Sequence, residues 1–314
     1  MPSVGLVGGR GYVGQEIIGC LAQHPSLELT CVASHSLAGQ PMAREYPQWS
    51  ALGLTFQPAD PQVLAAHRAD VWILALGNGE AKIYADRFLR TSAKILDVSA
   101  DFRCDNDWQY GLTEFLAPRI AASRCVANPG CYATGVQFAL WPIREFLSEP
   151  ALAFGVSGYS GAGRTPSPRN DPQKLADNLV PYNLAEHSHE LEIERHLGRR
   201  VRLLPHVASF FRGLSLTVSF QIDRELTIEQ MNQRYREQFA GQPFLIYDEA
   251  IPEIRQVRNT PLCRVGGLQR DPRDARRWVI VAALDNLSKG AATQAIQNVN
   301  LMCGFEHQLG FSRD

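Results

Sequence analysis

The chain has 314 residues, 45% of them hydrophobic and 20% charged, with 31 Lys+Arg against 32 Asp+Glu. One hydrophobic core stops growing at roughly 250–300 residues, so this length predicts two domains. A formal net charge of −1 provides no field to gather nucleic acid or an acidic membrane, and apolar runs such as 71–76 and 279–284 have strand length rather than membrane length.

The seven cysteines follow no tight spacing, which argues against a disulfide framework or a structural zinc site and for a reducing, cytoplasmic compartment. The chain opens on a strand pattern, with no leader-like n-region.

Residues 3–7 read as a strand. Gly8-Gly9-Arg10-Gly11-Tyr12-Val13-Gly14 follows, then a helix carrying Val13, Ile17 and Leu21 on one face. Gly9-x-Gly11-x-x-Gly14 is the dinucleotide fingerprint, and here strand precedes and helix follows as it requires. Its glycines admit a pyrophosphate to the helix N-terminus. The alternative is a glycine-rich turn that holds no ligand.

Residues 27–33 form the second strand. An NAD enzyme places an acidic residue next, against the ribose 2′-hydroxyl. This chain has Ser34-His35-Ser36. No carboxylate repels a 2′-phosphate, and Ser34 and Ser36 can donate to one, so NADP is the expected cofactor.

A short strand is expected at 54–56 and a helix at 61–67, with proline early in it. The run 71–76 suits a parallel strand buried on both faces. Gly77-Asn78-Gly79 opens a helix to about Thr91, and 94–98 is the next strand. Alternating strands and helices predict a doubly wound parallel sheet. Ligands bind at the carboxyl ends of such strands. The loops carrying Asn78, Ser99 to Arg103, and the residues before Cys131 should therefore converge.

In Asn128-Pro129-Gly130-Cys131-Tyr132-Ala133-Thr134 a proline and a glycine force a turn. The apolar run after it, to Leu147, reads as a helix. Cys131 then stands at a helix N-terminus, where unpaired N–H groups and the helix dipole favour thiolate, the nucleophilic form. A cysteine that merely fills core is an equal reading of this stretch alone.

The texture then changes. Strands are expected at 152–156, 201–204 and 214–222, and a hairpin joins 263–269 to 277–284. Helices are expected at 187–197, at 227–239 behind a Thr227/Gln230 capping box, and at 289–302. This half reads as an α+β domain with a mostly antiparallel sheet. The domains are expected at 1–130, completed by 288–314, and at 131–287.

Several phrases, taken in order, carry a resemblance. They are Gly8 to Gly14, Asp97-Val98-Ser99-Ala100-Asp101-Phe102-Arg103, Tyr110-Gly111-Leu112-Thr113-Glu114, Asn128 to Thr134, Ser160-Gly161-Ala162-Gly163-Arg164, Pro205-His206 with Arg212-Gly213, and the stretch from Asp285. Nearly end to end the chain resembles the N-acetyl-gamma-glutamyl-phosphate reductases, NADPH-dependent enzymes of arginine biosynthesis. Asn78-Gly79 departs from the usual His-Gly of that family.

The resemblance implies a Rossmann-type domain beside a catalytic and dimerisation domain. It implies reduction of an acyl phosphate to an aldehyde through a thioester on Cys131. A covalent intermediate divides one hard step into two. It also implies His206 as acid/base, since imidazole titrates near neutral pH. Arg103 is implied against the substrate phosphate and Arg212 against its α-carboxylate, with Arg164 a further candidate for either. Ser160, Gly161 and Ala162 would approach the nicotinamide ribose, and Asn286 its carboxamide. A small-molecule substrate and a homo-oligomer, dimer or tetramer, are the expected partners.

His187-Ser188-His189 is not expected to hold a metal. The two rings diverge on a helix and no third ligand is placed, so polar support near the site is the reading. Two alternatives remain at this stage: a reductase of a related acyl phosphate, aspartyl or carrier-bound, and a nucleotide sensor without turnover. An intact Cys131/His206 pair argues against the sensor.

Overall fold

A computed structural model describes residues 1–312; the last two positions of the expected segment 288–314 lie outside the described residues. The described chain forms two compact units, Met1–Pro129 with Ala291–Ser312, and Gly130–Gly290.

The first unit is built on six parallel strands: β1 (Ser3–Val7), β2 (Glu28–Ala33), β3 (Val71–Leu74), β4 (Lys94–Asp97), β5 (Gln109–Tyr110) and β6 (Cys125–Ala127). They lie in the order β2-β1-β3-β4-β6-β5. β3 is buried throughout, as an unbroken apolar strand must be when helices cover both faces. On one face Val4, Leu6 and Ile73 pack with Ile17 of the Tyr12–Ala22 helix and with Ile296 and Val299 of the C-terminal helix Thr293–Met302. On the other, Trp72 stacks on Phe88 of the Ala81–Phe88 helix with ring centroids 4.4 Å apart. The sheet is therefore doubly wound. Its order reverses at β1 and β3, and the loops leaving those strands open the crevice such folds use for ligands.

The second unit is a seven-stranded sheet of β7 (Ala151–Gly158), β8 (Leu179–Pro181), β9 (Val201–Ala208), β10 (Leu214–Gln221), β11 (Leu245–Asp248), β12 (Cys263–Asp271) and β13 (Asp274–Leu284). Its order is β11-β12-β13-β10-β7-β9-β8. The pairs β11/β12 and β7/β9 are parallel, and the remaining pairings are antiparallel.

One face carries the Cys131–Leu140 helix. A Cβ on Gly155 would lie 2.5 Å from the Tyr132 ring, and one on Gly135 would lie 2.4 Å from Leu216. Helix and sheet thus approach through two glycines. Ala151 and Ala153 of β7, Val201 and Leu203 of β9, and Leu214, Leu216 and Val218 of β10 are buried. Successive strand side chains alternate faces, and the opposite face leaves Leu152, Phe154 and Val279 exposed.

Three expected elements differ. No strand forms at 54–56, where isolated bridges join Thr55 to Pro41 and Gln57 to Ala33. The helix from Cys131 ends at Leu140 and tightens into the 3₁₀ turn Trp141–Phe146, because Pro142 has no N–H to continue the α ladder. The last helix begins with a π turn, Ser288–Ala292, before Thr293. No helix among the described residues is long and apolar enough to cross a membrane.

Candidate active site

In the first unit the glycine loop links β1 to the Tyr12–Ala22 helix. Gly8 sits at φ +94°, and a Cβ there would lie 2.1 Å from the Ala75 carbonyl oxygen. A Cβ on Gly14 would meet the Gly8 oxygen at 2.2 Å, and one on Gly9 would meet Val32 at 2.4 Å. These three glycines are demanded by packing. Gly11 is different: its Cβ would meet only the Gly8 oxygen, at 3.6 Å, an ordinary contact. Gly11 caps a helix with no side-chain cap and no acidic residue in its first turn. That leaves a smooth, positive helix end, which fits a pyrophosphate. Tyr12 and Val13 begin this helix half-buried, and Arg10 is exposed.

Ser34 is buried and Ser36 is exposed on the turn after β2. Of the two expected 2′-phosphate donors, Ser36 is therefore the accessible one. The loops after β3 and β4 are tied together. Asn78 Oδ1 accepts the Ala100 N–H at 3.1 Å, and the Asp101 carboxylate accepts the N–H groups of Gly79 and Ala81 at 2.6 and 3.0 Å.

Arg103 is buried. Its Nε donates to the Asn128 carbonyl at 2.9 Å and its Nη2 to the Val98 carbonyl at 2.8 Å. Asn128 is also held by its side chain, whose Oδ1 accepts from Asn298 at 3.0 Å and whose Nδ2 donates to the Ala291 carbonyl at 3.3 Å. The expected phosphate ligand thus braces the segment that leads toward Cys131. Beneath it burial pushes the Asp97 carboxyl up to about 6, against the opposing pull of Ser99 and Arg103.

In the second unit Cys131 is the first residue of its helix, half-buried, with Gly130 as the cap. The Gly130 N–H donates to Glu192 Oε1 at 2.9 Å. Glu192 is itself buried, and its Oε2 stands 4.0 Å from His189 Nε2. The Tyr132 ring lies 6.1 Å from His187 and 6.0 Å from His189, and Tyr182 lies 5.8 Å from His187. The hydroxyls of Tyr132 and Tyr182 share a hydrogen bond. Burial pushes Tyr182 up to about 12, and Cys131, once ionised, pushes the same way. Burial also lowers His187, whose Nδ1 accepts the His189 N–H at 3.2 Å and caps the Ser188–Leu197 helix. Thiol, imidazoles, phenols and a buried carboxylate therefore gather on one face of the sheet.

His206 does not belong to that face, which corrects the expectation that it shares a proton with Cys131. On β9 it pairs with Val156, whereas Pro205 pairs with Gly155, the residue against the Tyr132 ring. Alternation sends the His206 side chain to the opposite face. There it packs on Phe154 with centroids 4.6 Å apart, and Nδ1 contacts the Leu204 carbonyl at 3.1 Å. Only its backbone turns toward the nucleophile's face, its carbonyl accepting the Tyr132 hydroxyl at 3.0 Å.

Arg212 is paired with buried Asp285, through Nε at 2.6 Å and Nη2 at 3.1 Å. Asn286 receives the Gly213 N–H on Oδ1 at 2.7 Å, and its Nδ2 donates to Ser160 Oγ at 2.9 Å. Asn286 thus holds the turn Tyr159–Ala162, in which Ser160 is buried, Gly161 exposed and Ala162 half-buried. Arg164 follows it, half-buried. A Cβ on Gly290 would lie 2.7 Å from Cys131 Cβ, so the turn after Asp285 passes directly over the thiol-bearing residue.

Sequence reading undervalued His189, Glu192 and Tyr182. The signal for His189 and Glu192 was i,i+3 spacing on one helix face; Tyr182, in a loop, carried none. Among the described residues no His, Cys, Asp and Glu cluster is arranged to hold a metal ion.

Comparison with known proteins identifies the family and the fold. Residues 3–123 match the family described as semialdehyde dehydrogenase, NAD binding domain, and residues 131–286 match semialdehyde dehydrogenase, dimerisation domain. The N-acetyl-gamma-glutamyl-phosphate reductase of Xanthomonas campestris pv. campestris is 46% identical over 307 residues, 97% of this chain and 96% of that one. That of Xylella fastidiosa is 44% identical over 306 residues, covering 97% and 93%. Among solved structures, aspartate semialdehyde dehydrogenase II from Vibrio cholerae superposes with a TM-score of 0.78 at 19% identity, covering 97% and 99% of the two chains. The aspartate semialdehyde dehydrogenase with NADP from Candida albicans gives 0.75 at 17%, covering 96% and 98%. At those identities the likeness is one of fold.

Proposed function

Because the chain belongs to the N-acetyl-gamma-glutamyl-phosphate reductase family of semialdehyde dehydrogenases, we propose that it reduces N-acetyl-gamma-glutamyl phosphate to the 5-semialdehyde and phosphate, a step of arginine biosynthesis. The carrying observation is Cys131 at the head of a helix, its preceding amide anchored by Glu192 and Glu192 standing beside His189.

Cys131 Sγ attacks the acyl carbon, and the C–O bond to phosphate breaks with its electron pair leaving on the phosphate. The product is a thioester on Cys131. A nicotinamide cofactor, when bound, supplies the hydride that reduces this thioester carbon. Collapse of the resulting hemithioacetal releases the aldehyde and restores the thiolate. N–H groups of the first helical turn face the developing oxyanion, and such a donor is typically worth about 3–4 kcal/mol. The His189 imidazole takes the thiol proton and gives one back, steadied by the Glu192 carboxylate. It takes the place first assigned to His206.

The first unit holds the cofactor through Gly8, Gly9, Arg10, Gly11, Tyr12, Val13 and Gly14. Ser36 and the absence of a carboxylate after β2 favour NADP over NAD. The Tyr159–Ala162 turn, fixed by Asn286, supplies the nicotinamide contacts, and Asn78 shapes the loop beside it. Arg103 and Arg212 act by bracing these loops, with Arg164 left for substrate. The exposed Leu152, Phe154 and Val279 face supports self-association into a dimer or tetramer. Among the described residues the cysteines form no disulfide bond, which suits a cytoplasmic enzyme.

The test is phosphate-dependent reduction of NADP with N-acetylglutamate 5-semialdehyde. Turnover in the wild type and its loss in Cys131→Ser, with NADPH binding retained, are expected. Turnover retained by Cys131→Ser removes the thioester route. NAD used as well as NADP removes the Ser36 reading.

A further inference from the structure

A guanidinium that grips a substrate needs hydrogen-bonding capacity that the fold has not already used. Arg212 has given two nitrogens to Asp285, and Arg103 has given two to backbone carbonyls. Arg169 differs from both. It lies half-buried in the loop before β8, with its Cζ 4.9 Å over the Tyr182 ring. Among the described residues no carboxylate pairs with it.

The neighbouring carboxylates are engaged elsewhere. Glu192 accepts the Gly130 N–H, and Glu190 Oε1 accepts the Leu203 N–H at 2.7 Å. Arg169 nevertheless acts on the site, because its charge makes both Tyr182 and His187 easier to deprotonate. Tyr182 bonds to Tyr132, the residue after Cys131. A line of contacts therefore runs from this cation through two phenols to the nucleophile.

We propose that Arg169 binds the α-carboxylate of the acyl-phosphate substrate and so sets where its reactive carbonyl meets Cys131. The assignment rests on the reductase reading above. The leaving phosphate is bonded to the carbon that sulfur attacks, so its site must adjoin the thiol. Arg169 is set back from the thiol by two tyrosines, as suits the far end of a short acidic chain. Stacking on a ring occupies the face of a guanidinium and leaves its N–H edges for the two-pronged grip that carboxylates favour.

The test is protection of Cys131 from iodoacetamide by N-acetyl-L-glutamate, compared with its α-amide, in wild type, Arg169→Gln and Arg169→Lys. In the wild type the acid should protect better than the amide. In Arg169→Gln protection by the acid should weaken about tenfold or more, as for loss of a charge-assisted pair, and acid and amide should become equal. Arg169→Lys should recover part of the difference. Undiminished preference for the acid in Arg169→Gln overturns the proposal. In the reverse assay the same variant should raise KM for the semialdehyde and leave KM for phosphate and NADP unchanged; a rise confined to phosphate also overturns it. The alkylation result does not depend on turnover. A wild type that protects but fails to turn over would reject the reductase reading while still deciding the role of Arg169.

Discussion

Glu192 accepts the backbone N–H of Gly130 at 2.9 Å, although the two residues lie far apart in sequence. One buried carboxylate thereby fixes the residue in front of the nucleophile and sets negative charge beside His189. Glu192→Gln keeps an oxygen for the amide and removes the charge. It should lower kcat and shift its pH profile with little change in melting temperature. Glu192→Ala leaves the Gly130 N–H unmet and should cost about 1–3 kcal/mol in chemical denaturation.

Two histidines lie toward opposite faces of the large sheet, and the proposed mechanism uses only one of them. His189→Asn should reduce kcat by about 10²–10⁴-fold, the range for a lost general acid or base. His206→Asn should leave kcat nearly unaltered. Steady-state kinetics of both proteins decide the matter, and the reverse ranking would restore His206.

Two glycines of one fingerprint should answer differently to alanine. Gly14→Ala forces a methyl to 2.2 Å from the Gly8 oxygen and should lower the melting temperature. Gly11→Ala meets no such obstacle in the protein and should melt like the wild type. Its NADPH affinity should nonetheless fall by about tenfold or more, because the pyrophosphate needs that space. Calorimetry and cofactor titration read the two effects separately.

These contrasts show what the sequence could carry. The glycine loop, the apolar run 71–76 that begins with β3 and the Thr227/Gln230 capping box were legible because each is a local pattern with one physical cause; that box forms as expected. β5 and β6 are too short for any period to emerge. The face of His206 was available in principle: Val201, Leu203, Pro205 and Val207 alternate with it and are buried. The Asn128 partner of Arg103, the Asp285 partner of Arg212 and the Gly213 partner of Asn286 could not be read at all, since each lies tens of residues away in the chain.

Exposed Phe154, with Leu152 and Val279 on the same face, gives the proposed association surface a direct test. Phe154→Asp would place an uncompensated charge at that surface, where burial without a partner is costly. The variant should run as a smaller species in light scattering while keeping its circular dichroism. Unchanged mass would move the interface elsewhere.

His24 offers a pH test in the first unit. Its Nδ1 accepts the N–H groups of Ser26 and Leu27 at 3.1 and 2.9 Å, and its Nε2 contacts the Leu309 carbonyl at 3.0 Å. That geometry requires the neutral ring, and burial lowers its pKa. A base with a depressed folded pKa stabilises fully above its unfolded value, near about 6.5, and the contribution is lost as pH falls through the folded value. Melting temperature should therefore drop as pH falls below about 6.5, and His24→Asn, which keeps an acceptor but cannot ionise there, should flatten part of the drop.

The helix Thr293–Met302 carries a consequence for biosynthesis. Ile296, Val299 and Met302 belong to the same core as Val4 and Leu6, so the strands of residues 3–127 receive part of their covering from a helix made only after the whole of Gly130–Gly290. Vectorial folding of the amino-terminal half must therefore pause with one side of its sheet bare. The intervening segment Gly130–Gly290, with a core of its own, is free to mature meanwhile. A stalled or prematurely terminated chain would display that bare side, which makes it a natural substrate for chaperones and quality-control proteases.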